Sequence, residues 1–557
     1  MLKPPLPVHV KSDYSLGRAV GTPAELAACA AAQGISAIAL TDFATLAGQV
    51  EFHDACRAHG VKPLTGVEFP TEYPSEDRQR GRVVVLARDV HGYRSLCRLV
   101  TDWNAVHRSG VALLQTENAP EHLFVLTDEP DTARGLLAHG FDRSGLGLLL
   151  VRPSNSIERE RSVLLAGASL ELRVVADLDV TMPLAGDRAL LALATSVHAR
   201  IAKRRSASLA ARSLDSGAHL FDDLGEVVRS THDIAAACEL ELTVLRAPFD
   251  ESVVAHTAAL VARCERWPPP TSAHRERLYR ELAVIAELGL ARYFLAAAEI
   301  AEEARGRGIF VTARGSAVSS LVVHALGLSQ VDPVAQALYF ERFVRTSRKT
   351  PPDIDLDVAS DRRDELIEWT LRRFGRSHAA PVGAYQTFQR RSAYRDALSA
   401  LGMRASDVER FAATLPDDEL DLPIPADALP PRYRTDMATI ERLIGRPRHL
   451  STHPSALALS NTPLVDSTPL VRAPKGGLVT QVDGHGLSRL GLLKVDLLGN
   501  RALAELDEVA RITGTDPLSR PQDDARTLEA VGRADTVACN QLESPLMRSV
   551  LRRMPIA

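Results

Sequence analysis

The sequence predicts a multidomain α/β protein, and three observations carry that expectation. The chain has 557 residues, whereas single hydrophobic cores stop growing near ~250–300 residues. Its first part alternates short apolar runs with helical stretches, the pattern of strands joined by helices on a largely parallel sheet or barrel. Further on, an acidic run, DIDLD, alternates with period two and therefore reads as a strand rather than a helix.

The elements follow in order. Apolar runs at PVHVK (7–11), ISAIALTD (35–42), RVVVLARD (82–89), LGLLLVRP (146–153) and LRVVADLDV (172–180) are the expected strands. Ala-rich residues 23–33 and residues 46–59 are the expected helices between the first of them. WPPPTS (267–272) interrupts the pattern and reads as a linker. Residues 275–308 then keep apolar side chains at spacings of three and four, which predicts one long helix ending at Gly306 and Gly308. IFVTARG (309–315) reads as a strand, and LPDDELDLPIPADALPP (415–431) as an exposed loop within a mostly helical insert. No internal repeat is present.

Composition excludes several classes. Hydrophobic residues make up 45% and charged residues 24%, as in soluble globular proteins. A formal net charge of -4 rules out a uniformly basic nucleic-acid coat. Contact with DNA would need local clusters, such as Arg342, Arg345, Arg348 and Lys349, or Arg390 and Arg391. The six cysteines form no CxxC pair, which argues against a zinc site or disulfide framework and for buried thiols in a reducing cytosol. The N-terminus has no apolar targeting core, and no apolar run approaches the ~20 residues needed to span a bilayer. A cytoplasmic protein without a membrane partner is expected.

Three segments could carry chemistry. In TPPDIDLDVASDRRD (350–364), period two puts Asp353, Asp355 and Asp357 on one strand face and Ile354 and Leu356 on the other. Aligned carboxylates repel, so a hard divalent cation shared with substrate phosphates would stabilise them; a solvated Asp-rich edge strand is the plain alternative. In LGLLKVDLLG (490–499), Asp496 is a single acid in an apolar strand. It could join a metal site, or pair with Lys494 on the same face. In VTARGSAVSSLVVHALG (311–327), a strand enters Arg314-Gly315-Ser316 and an apolar helix follows. That is an anion cradle at a helix N-terminus, or simply a Ser316 cap. A cradle, a DxD strand and a later lone Asp together suit two-metal phosphoryl transfer.

These segments resemble a known family. The run ARGSAVSSLVVHALGLSQVDPVAQALYFERFVRTSRKTPPDIDLDVASDRRDELIEW resembles the palm of the C-family DNA polymerase III alpha subunit of bacteria. LSTHPSALALS and LGLLKVDLLGNRAL are similar to its second palm segment, and DTVACNQLESPLMRSVLRRM to the opening of its fingers. TFQRRSAYRDALSALGM resembles the error-prone branch used in damage tolerance. The resemblance implies Asp353, Asp355 and Asp496 as the catalytic, metal-binding triad, holding two Mg2+ ions with Mn2+ as a substitute. It also implies that Arg314, Gly315, Ser316, Arg342, Arg348 and Lys494 lie near the incoming triphosphate or primer end. Ala313 and Ser319 depart from the family pattern and are expected to crowd that cradle.

The N-terminal part resembles the PHP (polymerase and histidinol phosphatase) domain of that family, a (β/α) barrel-like fold whose metal site starts with His-x-His. Here His9 and Glu68 are kept, but Lys11 stands at the second histidine and Asp42 is followed by Phe43. A protonated lysine cannot ligate, so a degenerate site without phosphoesterase chemistry is expected. The implied organisation is a PHP domain at 1–235, a mixed-sheet palm at 236–384 and 451–503, a helical thumb at 385–450, and a truncated start of the fingers at 504–557. The implied function is DNA-directed DNA polymerase, with primed DNA template, deoxynucleoside triphosphates and other polymerase or mutasome subunits as partners. A catalytically impaired DNA- or partner-binding protein is the alternative, and a PHP phosphoesterase or 3′–5′ exonuclease a remote one.

Overall fold

A computed structural model describes residues 4–71, 81–106, 109–115, 120–153, 156–203, 210–217, 219–242, 251–345, 352, 354–415, 424, 429–473, 476–515 and 524–554. The chain divides into two compact units, Met1–Pro248 with Phe374–Lys494, and Phe249–Arg373 with Val495–Ala557.

The first unit is built on six strands in sequence order: β1 (Ala37–Leu40), β2 (Lys62–Pro70), β3 (Arg82–Ala87), β4 (Leu123–Thr127), β5 (Leu146–Val151) and β6 (Arg173–Asp177). β1–β2, β4–β5 and β5–β6 pair in parallel, but β3 runs antiparallel to both β2 and β4. The sheet is therefore mixed rather than largely parallel. RVVVLARD could not reveal this, because a continuous apolar run has the same appearance in either direction.

The N-terminal segment links the two edges of this sheet. On the β1 side, the Ala39 and Thr41 amides donate to the carbonyls of Pro7 and Val10 (2.8 and 2.7 Å). Just beyond β6, the Lys11 amide donates to the Val180 carbonyl and the Val180 amide to that of His9, both at 3.0 Å. The sheet thus curls back through residues 7–11, and His9 and Lys11 project from the connecting piece.

The later part of this unit contains an antiparallel pair, β9 (Ala379–Thr387) with β10 (Pro447–Leu459), and a small ribbon, β11 (Leu470–Arg472) with β12 (Leu478–Thr480). Ala380, Val382, Ala458 and Val482 share one core with Val10, Leu40 and Val67. Gln481 accepts from the Leu46 amide at 2.8 Å, and Tyr93 Oη donates to the Ser467 carbonyl at 3.1 Å. Gly383 donates its amide to Thr480 Oγ1 at 3.0 Å, and a Cβ there would stand 2.1 Å from the Thr480 carbonyl oxygen. Gly383→Ala is expected to cost ~3 kcal/mol through overpacking, read as a lower denaturant midpoint at unchanged slope.

The second unit holds β7 (Val311–Arg314), β8 (Ile354–Ala359) and β13 (Leu493–Asn500), with β8 central, antiparallel to β7 and parallel to β13. The expected long helix is two helices, Ser272–Glu287 and Ala291–Gly306. They are broken at Gly289, whose φ of +66° suits glycine. Of the cysteines, Cys56, Cys97, Cys238 and Cys264 are buried, Cys29 is half-buried and Cys539 is exposed. The Pro-rich loop at 415–431 lies mostly outside the described residues. No described helix is long and apolar enough to cross a membrane.

Candidate active site

β8 sorts its side chains as the period-two reading requires. Ile354, Leu356 and Val358 are fully buried on one face. Asp355 is half-buried and Asp357 8% exposed on the other. Asp496 on β13 is the register partner of Asp355, and Arg314 on β7 is its partner on the other side. Register partners project to the same face, so Arg314, Asp355 and Asp496 form one row across three strands. Adjacent strands lie ~4.8 Å apart. Two like charges directly opposite are unfavourable, and carboxylate oxygens at that spacing are the hard donors that magnesium takes.

Asp357 is engaged differently. Asn500 Nδ2 donates to Asp357 Oδ2 at 3.0 Å, and Arg314 Nε lies 3.5 Å from Oδ1. Gly315 adopts φ +68°, and a Cβ on it would be 3.8 Å from Asp355 Oδ2, so the turn after β7 runs directly beside that carboxylate. Asp353 and Arg348 lie outside the described residues. Arg342 is exposed in a short 3-10 turn, Phe340–Arg342. Lys494 is half-buried on β13, with its stem 3.2 Å from where a Gly484 Cβ would be.

The cradle differs from its expected form. Gly315–Ser319 is a 3-10 turn, and the helix after it spans only Leu321–Ala325. Ser320, not Ser316, caps that helix by accepting from the Val323 amide. Any anion site here rests on turn amides rather than on a helix macrodipole. Ala313 is buried and paired with Leu356, on the face opposite Asp355, and Ser319 is buried. The Ala313 side chain therefore does not crowd the carboxylate face.

The N-terminal cluster is a second, separate arrangement. A His9 ring nitrogen, a Glu68 oxygen and an Asp179 oxygen approach within 4.8 Å of one another, close enough for a metal. A metal does not fit, because the Lys11 ammonium already sits among them. Its Nζ lies 2.5 Å from Asp179 Oδ1, 2.8 Å from Glu68 Oε2 and 3.2 Å from His9 Nε2. Burial works to discharge this lysine, but the Asp179 and Glu68 carboxylates outweigh it and raise its pKa. Against the same cost of burial, the pKa values of Glu68 and Asp179 are held low, chiefly by Lys11 for Glu68 and by Arg82 and Lys11 for Asp179. His9 Nδ1 faces Asp177 at 3.0 Å.

Asp42 is spent on the turn at Ser12 and Ser15. It accepts from the Ser12 amide and from the hydroxyls of Ser12 and Ser15. Burial still raises its pKa to about 6. The Phe43 ring lies under the Arg18 guanidinium at 3.6 Å. Sequence reasoning missed Asp177, Asp179, Arg82 and Arg212 as the partners in this cluster. The DLD of LRVVADLDV was the available signal, since two acids at that spacing share a side.

Comparison with known proteins agrees with this architecture. Residues 7–146 match the PHP domain, and residues 255–499 match the bacterial DNA polymerase III alpha NTPase domain. The class these matches define is a chain with a PHP domain followed by an alpha-subunit NTPase domain. The chain is similar along its length to bacterial error-prone DNA polymerases. It is 33% identical to the error-prone DNA polymerase of Pseudomonas aeruginosa over 98% of this chain and 56% of the relative. The error-prone DNA polymerase of Dechloromonas aromatica is 32% identical over 98% of this chain and 57% of the relative. The chain thus spans little more than half the length of these relatives.

Proposed function

We propose that this chain is a DNA-directed DNA polymerase of the alpha-subunit type, extending a primer 3′ end in error-prone or damage-tolerant synthesis. The observation that carries the proposal is the register pairing of Asp355 with Asp496 beside the Gly315 turn. Two acids from segments far apart in sequence face one another where like charge is unfavourable without a cation. In this reading Asp353, Asp355 and Asp496 hold two Mg2+ ions, with Mn2+ as a substitute. Bound there, such ions supply Lewis-acid stabilisation of the phosphoryl group and a lowered pKa for the attacking hydroxyl. Arg314 and the Gly315–Ser316 turn face the triphosphate, Arg342 and Arg348 add positive charge, and Lys494 flanks the primer end.

Residues 236–384 and 451–503 serve as palm in this reading, 385–450 as thumb and 504–557 as the start of the fingers. Primed DNA and deoxynucleoside triphosphates are the substrates, other polymerase or mutasome subunits are partners, and the setting is cytoplasmic. The PHP half contributes no phosphoesterase or exonuclease chemistry, because the Lys11 ammonium fills the place of a metal. The test is primer extension by the purified chain with Mg2+ or Mn2+. Extension that requires both metal and template-matched nucleotide is the expected result. Metal-dependent binding of nucleotide and DNA with no extension under either ion would select a binding protein instead.

A further inference from the structure

We propose that His274, Arg277 and Glu281, one polar stripe on the Ser272–Glu287 helix, position the Gly315–Ser319 turn against Asp355 and so set affinity for the incoming nucleotide's triphosphate. The inference rests on the polymerase reading above and adds residues that touch neither metal nor substrate. Spacings of three and four put these side chains on one helix face, while Leu278, Leu282 and Ile285 of the same helix are buried.

The stripe grips the segment that follows β7 at two places, Ser319 to Val322 and Asp332 to Pro333. Glu281 is fully buried. Its Oε2 accepts from Ser320 Oγ at 2.8 Å and from the Val322 amide at 3.2 Å. Its Oε1 accepts from Arg277 Nε at 2.9 Å. Arg277 then donates to the Ser319 carbonyl at 2.7 Å and to that of Pro333 at 3.3 Å. His274 Nε2 meets Asp332 Oδ2 at 3.0 Å, and Asp332 Oδ1 accepts from the Val334 and Ala335 amides.

A buried carboxylate is costly unless it is paired and hydrogen-bonded, and burial raises the Glu281 pKa even with these partners. The helix it serves is only Leu321–Ala325, too short to account for that cost as a cap alone. What the stripe fixes is the turn's far end, at Ser319 and Ser320. The near end, Gly315, already lies against Asp355. With both ends held, the turn's amides keep one orientation toward the carboxylate face, the preorganisation that anion binding needs.

The test uses the full chain with Arg277→Lys, which keeps the charge and loses the fork, and Glu281→Gln, which keeps the shape and loses the charge. Mn2+ binding is followed by the free-ion paramagnetic resonance signal. Nucleotide binding is followed by anisotropy of a fluorescent deoxynucleoside triphosphate with primed template and Mn2+. Both are measured well below the melting midpoint of each variant. The expected result is triphosphate affinity reduced about ten-fold in either variant, the loss of roughly one charge-assisted hydrogen bond, with Mn2+ affinity in the absence of nucleotide close to wild type. Lower melting with unchanged triphosphate affinity would make the stripe a structural cap and overturn the proposal, as would equal loss of metal and nucleotide binding. A wild-type chain showing no Mn2+-dependent nucleotide binding would instead sink the polymerase reading, and this inference with it.

Discussion

Alanine at Asp355 or Asp496 is expected to lower metal-dependent primer extension by ~10³-fold or more, since a catalytic metal supplies several kcal/mol of transition-state stabilisation and each ~1.4 kcal/mol is ten-fold. Asp496→Asn should fall almost as far, because it keeps the side-chain volume of a position only 4% exposed while removing the charge. Asp357→Asn should cost much less: Asn500 and Arg314 already engage that carboxylate. Stability should change far less than activity. Asp355 and Asp496 are register partners, and like charges directly opposite destabilise by ~0.2–1 kcal/mol. Removing the Asp496 charge relieves that repulsion and leaves Arg314 opposite Asp355, so the metal-free melting midpoint should change far less than extension does. Loss of function without loss of stability separates a functional pair from a structural one. Near wild-type extension by Asp496→Asn would end the assignment.

The carboxylate row was legible because its signals are local. Period two in DIDLD and an isolated acid in LGLLKVDLLG each report burial and facing without knowledge of the fold. Register is not local, and only the structure pairs Asp496 with Asp355 rather than Asp357. The break at Gly289 was hidden because the apolar spacing continues through it, and the turn at Gly315–Ser319 because several serines could each cap a helix. Arg277 and Glu281 carry no local signal of their role, since an i, i+4 ion pair is the ordinary decoration of an exposed helix. The burial of Glu281 and the partial burial of Arg277 come from segments that follow later in the chain. In the PHP half, Lys11 was legible as a lost ligand. Its replacement of the metal depends on His9, Glu68 and Asp179 converging, which no spacing rule provides.

Lys11→Met should strongly destabilise the N-terminal unit. Replacing a whole buried ion pair with apolar groups can be neutral, but removing one partner leaves an uncompensated charge and costs ~3–5 kcal/mol. Asp179 retains Arg82 and Arg212, so the exposed liability is Glu68, whose remaining contact in the cluster is His9 at 2.6 Å. This makes the loss depend on pH with a definite sign. In the wild type, Lys11 is raised and Glu68 and Asp179 are depressed. Their stabilisation is present above ~4 and below ~10, the unfolded carboxylate and lysine values, and is lost as pH falls through the depressed values or rises through the raised one. In Lys11→Met the cation left in direct contact with Glu68 is protonated His9, with Arg82 acting on it from further off. Burial and Lys11 itself work to lower the His9 pKa, yet Asp177 and Glu68 raise it overall, and removing Lys11 raises it further. A raised histidine stabilises fully below ~6.5 and loses that contribution as pH climbs through its folded value. The deficit in Lys11→Met should therefore be smaller at pH 6 than at pH 8.5, by ~1 kcal/mol or more. Denaturant titrations of both proteins at the two pH values measure it directly. Equal deficits at both would show that His9 does not take over from the lysine, and no deficit at either would show that the cluster tolerates a bare Glu68.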